Sequence, residues 1–250
     1  MQTYTIVVAA VFDEISSLIG RIDNAHSASL GGRSIVSGYI GDKHVKVIVT
    51  GPGIANTVQA LTAAVENARP ALIIQTGCGG AFKEAGLATG DIGIATEEID
   101  IYLGIEPENK KNPLIKLPFA IIKNNKFEIT NRYPVNKDMV DNACNIIKNN
   151  IKIDNTIIKK GPFVTVSTIT ATDKRAKKIF EEFMPCMENM EGTGSAHTAI
   201  HYGIPFLEIR SASNIVGKRN PDSWKLDVAF EKGSQAVYEF IRNFEFMTKK

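Results

Sequence analysis

The stretch "ALIIQTGCGGAF", residues 71–82, decides how the rest of the chain is read. Its first half, "ALIIQ", is a short unbroken apolar run, as expected of a strand buried on both faces of a parallel sheet. Its second half is a glycine turn, where backbone amides can approach a ligand closely. Just upstream, Ile54, Val58, Leu61 and Val65 recur at helical spacing, and Pro70 follows the end of that helix. Before the helix, "RSIVSGYIGDKHVKVIVT" (33–50) reads as two strands joined at Gly41-Asp42, and it runs into a second glycine turn, "TGPG" (50–53). The chain starts with another continuous apolar run, "YTIVVAAVF" (4–12), after which Asp13 can start a helix over 13–22. Strand, helix and strand in this order predict an α/β fold, a three-layer sandwich with a central mixed, largely parallel sheet. Ligands of such sheets bind in the loops at strand ends.

Downstream, residues 102–136 are rich in Pro, Asn and Lys with weak periodicity, which predicts a partly irregular excursion that covers a site or meets a partner subunit. Beyond it the pattern predicts a helix over 138–149, strands near 154–158 and 162–167, a helix over 173–183, and another from about Gly192. The strand "PFLEIR" (205–210) and a last helix over 224–244 follow. No repeat or linker divides the chain, so residues 1–250 are expected to form one domain.

Composition narrows the partners. With 44% apolar and 22% charged residues, 250 residues suffice for a sizeable core. Lys plus Arg number 29 against 27 Asp plus Glu, and a net charge of +2 creates no strong field to recruit nucleic acid or an anionic membrane. A small, specific ligand is expected instead. Cys78, Cys144 and Cys186 are widely spaced with no CxxC pair, which suits a reducing cytoplasm. The start has no basic region before its apolar run and reads as a first strand, not an export signal.

Neither glycine turn is a dinucleotide fingerprint, because Asn56 stands where the third glycine would be, and neither ends in the Gly-Lys-Ser/Thr of a phosphate loop. Plain tight turns explain both equally well. Two carboxylates stand out: Glu14 just past the first strand, and Glu191 in "CMENMEGTG" (186–194) at a helix start. Helix capping is the ordinary role for either, although solvation explains Glu191, between Met190 and Gly192, poorly. His197 and His201 have metal-ligand spacing, but "HTAIH" lacks the glutamate of a hydrolytic zinc helix and no third ligand is indicated, so no metal is expected. There is no Gly-x-Ser-x-Gly elbow. Arg210, leaving a buried strand, is either an ion-pair partner or a ligand contact.

Four motifs in order resemble the nucleoside phosphorylase and nucleosidase superfamily, most closely its bacterial purine nucleosidases. "SLGGRSIVSGYI" with "VIVTGPGIANTVQAL" is similar to its second and third strands, "ALIIQTGCGGAF" to its base-site loop, "MENMEG" to its Met-Glu ribose motif, and "IPFLEIRSASNIVG" to its strand ending in Arg-x-x-Ser-Asp. The resemblance implies a purine nucleoside as the ligand, no cofactor, and a homodimer or larger assembly. It assigns the purine to Asn214, the ribose to Glu191 and Met190, and the attacking water to Glu14. Ser213 and Arg210 would fix the loop, and the backbone of Cys78 and Gly79 would line the base. Phosphorolytic relatives carry an arginine before the glycine turn, where this chain has Gln75, and "AAVFDEI" lacks their Gly-Asp-Pro turn. Hydrolysis is therefore implied over phosphorolysis.

Adenine-cleaving relatives carry aspartate where this chain has Asn214. An amide donates to a 6-oxo group through its NH2, so a hypoxanthine base is implied. Asn214 followed by "IVGKRNPDSW" also resembles the futalosine hydrolase branch, which removes hypoxanthine from futalosine in the alternative menaquinone route. Methylthioadenosine/S-adenosylhomocysteine or aminofutalosine nucleosidases, phosphorylases and non-catalytic nucleoside-binding proteins are the other members to weigh. Lys218, Arg219 and Trp224 would supply a cation and an aromatic for a 5′ substituent, or cap the last helix at the surface. The relatives' stacking phenylalanine aligns near Ala171, leaving Phe163 or Phe119 to stack on the purine.

Overall fold

Tyr4–Ala9 forms β1, and all six residues are buried, as the unbroken apolar run requires of a strand covered on both faces. The computed structural model describes residues 3–109, 113–123, 127–151 and 155–246. After β1 come α1 (Ser16–Ile19), β2 (Asp23–Leu30), β3 (Arg33–Ile40), β4 (Lys43–Val49), α2 (Ile54–Asn67), β5 (Leu72–Ala81) and β6 (Ile92–Asp100). The excursion contains β7 (Ile122–Lys123), β8 (Glu128–Ile129) and β9 (Arg132–Pro134). Then follow α3 (Lys137–Asn150), β10 (Ile158–Thr165), α4 (Asp173–Phe183), β11 (Met187–Asn189), α5 (Gly192–Tyr202), β12 (Phe206–Ile215) and α6 (Leu226–Asn243).

One sheet runs in the order β11-β10-β6-β12-β5-β1-β4-β3-β2. β4, β1, β5 and β12 are mutually parallel, as are β6, β10 and β11, and the antiparallel β12–β6 pairing joins the two blocks. β11 also pairs with β5, so the strands around the site close on themselves. Helices α2 and α5 pack together over one side, and α6 packs with α1 and α3 over the other. This is the three-layer arrangement with a mixed central sheet. Caps set two helix starts: Asn136 accepts from Met139 N–H at 2.9 Å, and Thr172 accepts from Arg175 N–H at 3.2 Å.

The structure departs from the sequence expectations at identifiable places. β2 is an exposed polar edge strand, "DNAHSASL", with no apolar alternation to announce it, and α1 is only four residues long. The strands expected near 154–158 and 162–167 are one strand, β10, bent by a bulge between Gly161 and Phe163; residues 152–154 lie outside the described residues. "TGCGGA" is no turn but the second half of β5, paired with β12 through Ala81. β9 ties the excursion to β6. Among the described residues no helix is long and apolar enough to cross a membrane.

Candidate active site

The carboxyl ends of β1, β4, β5 and β12 open onto one cavity of about 240 Å³. Ten of the residues singled out in the sequence line it: Glu14, Cys78, Gly79, Met190, Glu191, Arg210, Ser213, Asn214, Arg219 and Trp224. They come from separate stretches of chain, and the sheet brings them together.

Glu14 lies between β1 and α1 and is 5% exposed. Its Oε2 accepts the backbone N–H groups of Ala10 (3.0 Å) and Val11 (3.2 Å), and its Oε1 accepts that of Cys78 (2.9 Å). Gly77, at φ +135°, is what admits this carboxylate, since a methyl group there would lie 2.6 Å from Oε1. Glu191 is the residue just before α5. Its Oε1 accepts Gly53 N–H at 3.0 Å, and its Oε2 accepts from Arg210 Nη2 at 3.1 Å. The "TGPG" turn thus aims a backbone amide at Glu191.

Arg210, 1% exposed, joins the two carboxylates. It donates through Nη1 to the Cys78 carbonyl (2.8 Å) and through Nε to Glu208 (2.6 Å). Burial alone would lower its pKa, but the charges of Glu208, Glu191 and Glu14 outweigh that and raise it. Of the roles left open for Arg210, the ion-pair partner is present, and the side chain also lines the cavity. Burial, then the Glu14 charge, pushes the Cys78 thiol up to about 12, so it stays protonated and is no nucleophile at neutral pH.

Asn214 reaches the cavity because β12 carries a bulge between Ala212 and Asn214. The bulge breaks the alternation, so both Ser213 and Asn214 line the cavity. Asn214 Nδ2 donates to the Ile215 carbonyl (3.2 Å), and Ser213 Oγ lies 2.8 Å from Oδ1. A carbonyl only accepts, so this contact fixes which end of the amide is NH2. One N–H and one lone pair of the amide remain uncommitted.

At the mouth, the Arg219 guanidinium lies 4.6 Å from the centre of the Trp224 ring. Lys218 is exposed and contributes only its backbone N–H, to Asp173, so it is not part of this wall. The stacking expectation is corrected. Phe163 is fully buried in β10 against Gly93, Phe119 is 61% exposed, and neither lines the cavity. Among the described residues Trp224 is the one aromatic in the wall, beside the aliphatic Val166 and Ile169. His197 stacks on His201 and lies 3.5 Å from the Tyr133 hydroxyl. Among the described residues no group of three His, Cys, Asp or Glu could hold a metal ion.

Sequence reasoning missed Glu188, whose carboxylate lines the cavity and accepts from Thr170 N–H (3.0 Å) and from the Thr170 hydroxyl. Burial raises its pKa. It stands inside "MENMEG", so the motif held the signal while attention went to Glu191.

A cavity at parallel strand ends, walled by buried carboxylates and the buried Arg210, defines a small-molecule site on an α/β fold. The model of the Phosphorylase superfamily matches residues 4–244, and the chain belongs to that superfamily. It is 23% identical over 243 residues to a 5′-methylthioadenosine/S-adenosylhomocysteine nucleosidase of Desulfotalea psychrophila, covering 96% of this chain and 97% of the relative. To the futalosine hydrolase of Streptomyces coelicolor it is 38% identical over 80 residues, 32% of this chain and 34% of that protein. Among solved structures, the Neisseria meningitidis 5′-methylthioadenosine/S-adenosylhomocysteine nucleosidase in complex with methylthio-immucillin-A matches with a TM-score of 0.82 at 19% identity, over 97% of this chain and all of that one (100%).

Proposed function

We propose that this chain is a purine nucleosidase, a hydrolase that cleaves the N-glycosidic bond of a 5′-substituted purine nucleoside. The observation that carries the reading is the convergence of Glu14, Glu191 and Asn214 on one cavity, with Arg210 joined directly to Glu191 and through Cys78 to Glu14. Cleavage leaves a cationic ribose and an anionic base. Glu191 accepts the ribose hydroxyls and favours the cation, and Asn214 receives the base. Glu14, pinned by three backbone amides, keeps lone pairs for a water and serves as its general base.

Water as acceptor, rather than phosphate, is supported by Gln75. It is fully buried, its Nε2 donates to the Val8 and Thr76 carbonyls, and its Oε1 accepts from Ser195, so it offers the cavity neither charge nor donor.

Relatives that span nearly the whole chain are 5′-methylthioadenosine/S-adenosylhomocysteine nucleosidases, which favours that substrate class for this chain. Asn214 favours a second reading, a 6-oxopurine nucleoside such as futalosine. With its amide oriented by Ile215, the free N–H suits an O6 acceptor, and a donor left facing a donor costs about 1–3 kcal/mol. Incubation with methylthioadenosine, S-adenosylhomocysteine, futalosine, aminofutalosine and inosine, with identification of the released base, separates the two. Adenine alone supports the first reading, hypoxanthine alone the second, and no free base from any of them overturns both. A homodimer or larger assembly is part of the proposal, and size-exclusion with light scattering reads it.

A further inference from the structure

Beneath the cavity lies a second set of carboxyls that the chemistry above does not use. Glu98 on β6 and Glu208 on β12 are both fully buried, and their carboxyls crowd the same point in front of Gly192, so they stand face to face. Two carboxyls face to face in a buried site repel when both are charged, and one proton held between them removes the repulsion. Glu208 Oε2, on the side of Glu98, is buried with no hydrogen-bond donor, while Glu208 Oε1 takes Arg210 Nε at 2.6 Å. Glu98 is held on its far side by Asn189 Nδ2 (2.8 Å to Oε1) and the Thr165 hydroxyl (2.7 Å to Oε2). Asn189 Oδ1 in turn accepts the backbone N–H groups of Glu191 (3.0 Å) and Gly192 (2.7 Å), and Thr165 Oγ1 accepts that of Thr193 (2.9 Å).

A proton between Glu208 and Glu98 would close these links into a ring. It runs from the Glu191 carboxylate to Arg210, Glu208, Glu98 and Asn189, and returns to the Glu191 backbone. Gly192 seats the helix start on the pair, since a methyl group there would lie 2.3 Å from the Glu98 carboxyl and 2.6 Å from Glu208 Oε2. Charge explains why a proton belongs in the ring. Glu14, Glu98, Glu191 and Glu208 surround a single arginine, and one neutral member relieves the excess.

We propose that Glu98 and Glu208, sharing one proton, are positioning residues for Glu191: the pair holds Arg210 from behind and the start of α5 from below, and so fixes the ribose-binding carboxylate from both ends. The positioning role rests on the nucleosidase reading; the shared proton does not.

Burial, then the charge of Glu208, pushes the Glu98 carboxyl well above the usual range. The native chain therefore binds this proton more tightly than the unfolded chain. The stabilisation is complete below the unfolded value near 4.5 and is lost as pH rises through the folded value. The other groups facing the pair are Arg210 and Glu191; Tyr133 on β9 is the ladder partner of Glu98, and His197 on α5 stands beside Tyr133 with its pKa lowered by burial.

The test compares thermal melts of the wild type and Glu98→Gln between pH 5.5 and 8.5, because the amide keeps a donor but cannot titrate. The melting temperature of Glu98→Gln relative to the wild type rises by at least about 3 °C across that range; a difference independent of pH overturns the shared proton. This arm needs no substrate, so it reads whether or not the nucleosidase reading holds. On whichever nucleoside the wild type cleaves, Glu208→Gln lowers kcat tenfold or more with KM within about threefold, and Glu98→Gln recovers most of the loss seen in Glu98→Leu. Wild-type turnover in a folded Glu208→Gln, or equal losses in both Glu98 variants, overturns the positioning role.

Discussion

The floor and the mouth of the cavity are built in opposite ways. At the floor, Glu14, Glu191 and Arg210 are all at most 5% exposed, and each is held by several hydrogen bonds to backbone or to other buried groups. At the mouth, Arg219 and Trp224 hold each other by a cation–π contact, and the neighbouring Ile169 is 45% exposed. A reacting bond needs groups fixed to within a fraction of an ångström, whereas a substituent that does not react needs only a compatible surface. On the proposed reading, the floor would set the chemistry and the mouth the fit of the 5′ substituent.

The largest effect that would break this contrast is at Arg210. Arg210→Ala leaves Glu208 and Glu191 buried without their cation and is expected to cost about 3–5 kcal/mol of folding stability, read by denaturant unfolding. Next, Glu191→Gln and Glu14→Gln each lower kcat more than tenfold while the protein stays folded; near-normal turnover in either purified protein would remove that residue from the mechanism. Asn214→Asp sharpens the boundary between the regions. It shifts the ratio of kcat/KM for 6-oxopurine against 6-aminopurine nucleosides toward the 6-amino substrate by roughly tenfold, the scale of one mispaired buried group, and an unchanged ratio would refute the readout argument. Smallest is Trp224→Ala, expected to raise KM roughly threefold to tenfold with kcat within twofold, because about 1 kcal/mol of cation–π and stacking contact is lost without touching the reacting groups.

Much of this was legible in the sequence because it rests on local patterns. The apolar runs at 4–12 and 71–75 are buried strands, and the helical spacing from Ile54 produces α2. Glu14, Glu191 and Asn214 each follow an apolar segment, which puts them at strand ends. What was not legible depends on pairing. β2 is polar and exposed, so only its partner β3 makes it a strand. The glycines of "TGCGG" read as a turn because their reason is three-dimensional: Glu14 crowds Gly77, and Val216 crowds Gly80 within β5. Glu98 stands in the acidic run "EEID" (97–100) and Glu208 alone in "PFLEIR", and nothing in either segment says that they face each other under α5. The stacking aromatic failed for a similar reason, since Phe163 alternates into the core, where Gly93 makes room for it.

The most direct measurement follows the sugar. The wild-type protein is incubated with its preferred purine nucleoside, with and without inorganic phosphate, and the sugar product is identified by mass spectrometry. The account predicts free 5′-substituted ribose in equal amounts under both conditions. Sugar 1-phosphate formed only when phosphate is present would contradict it.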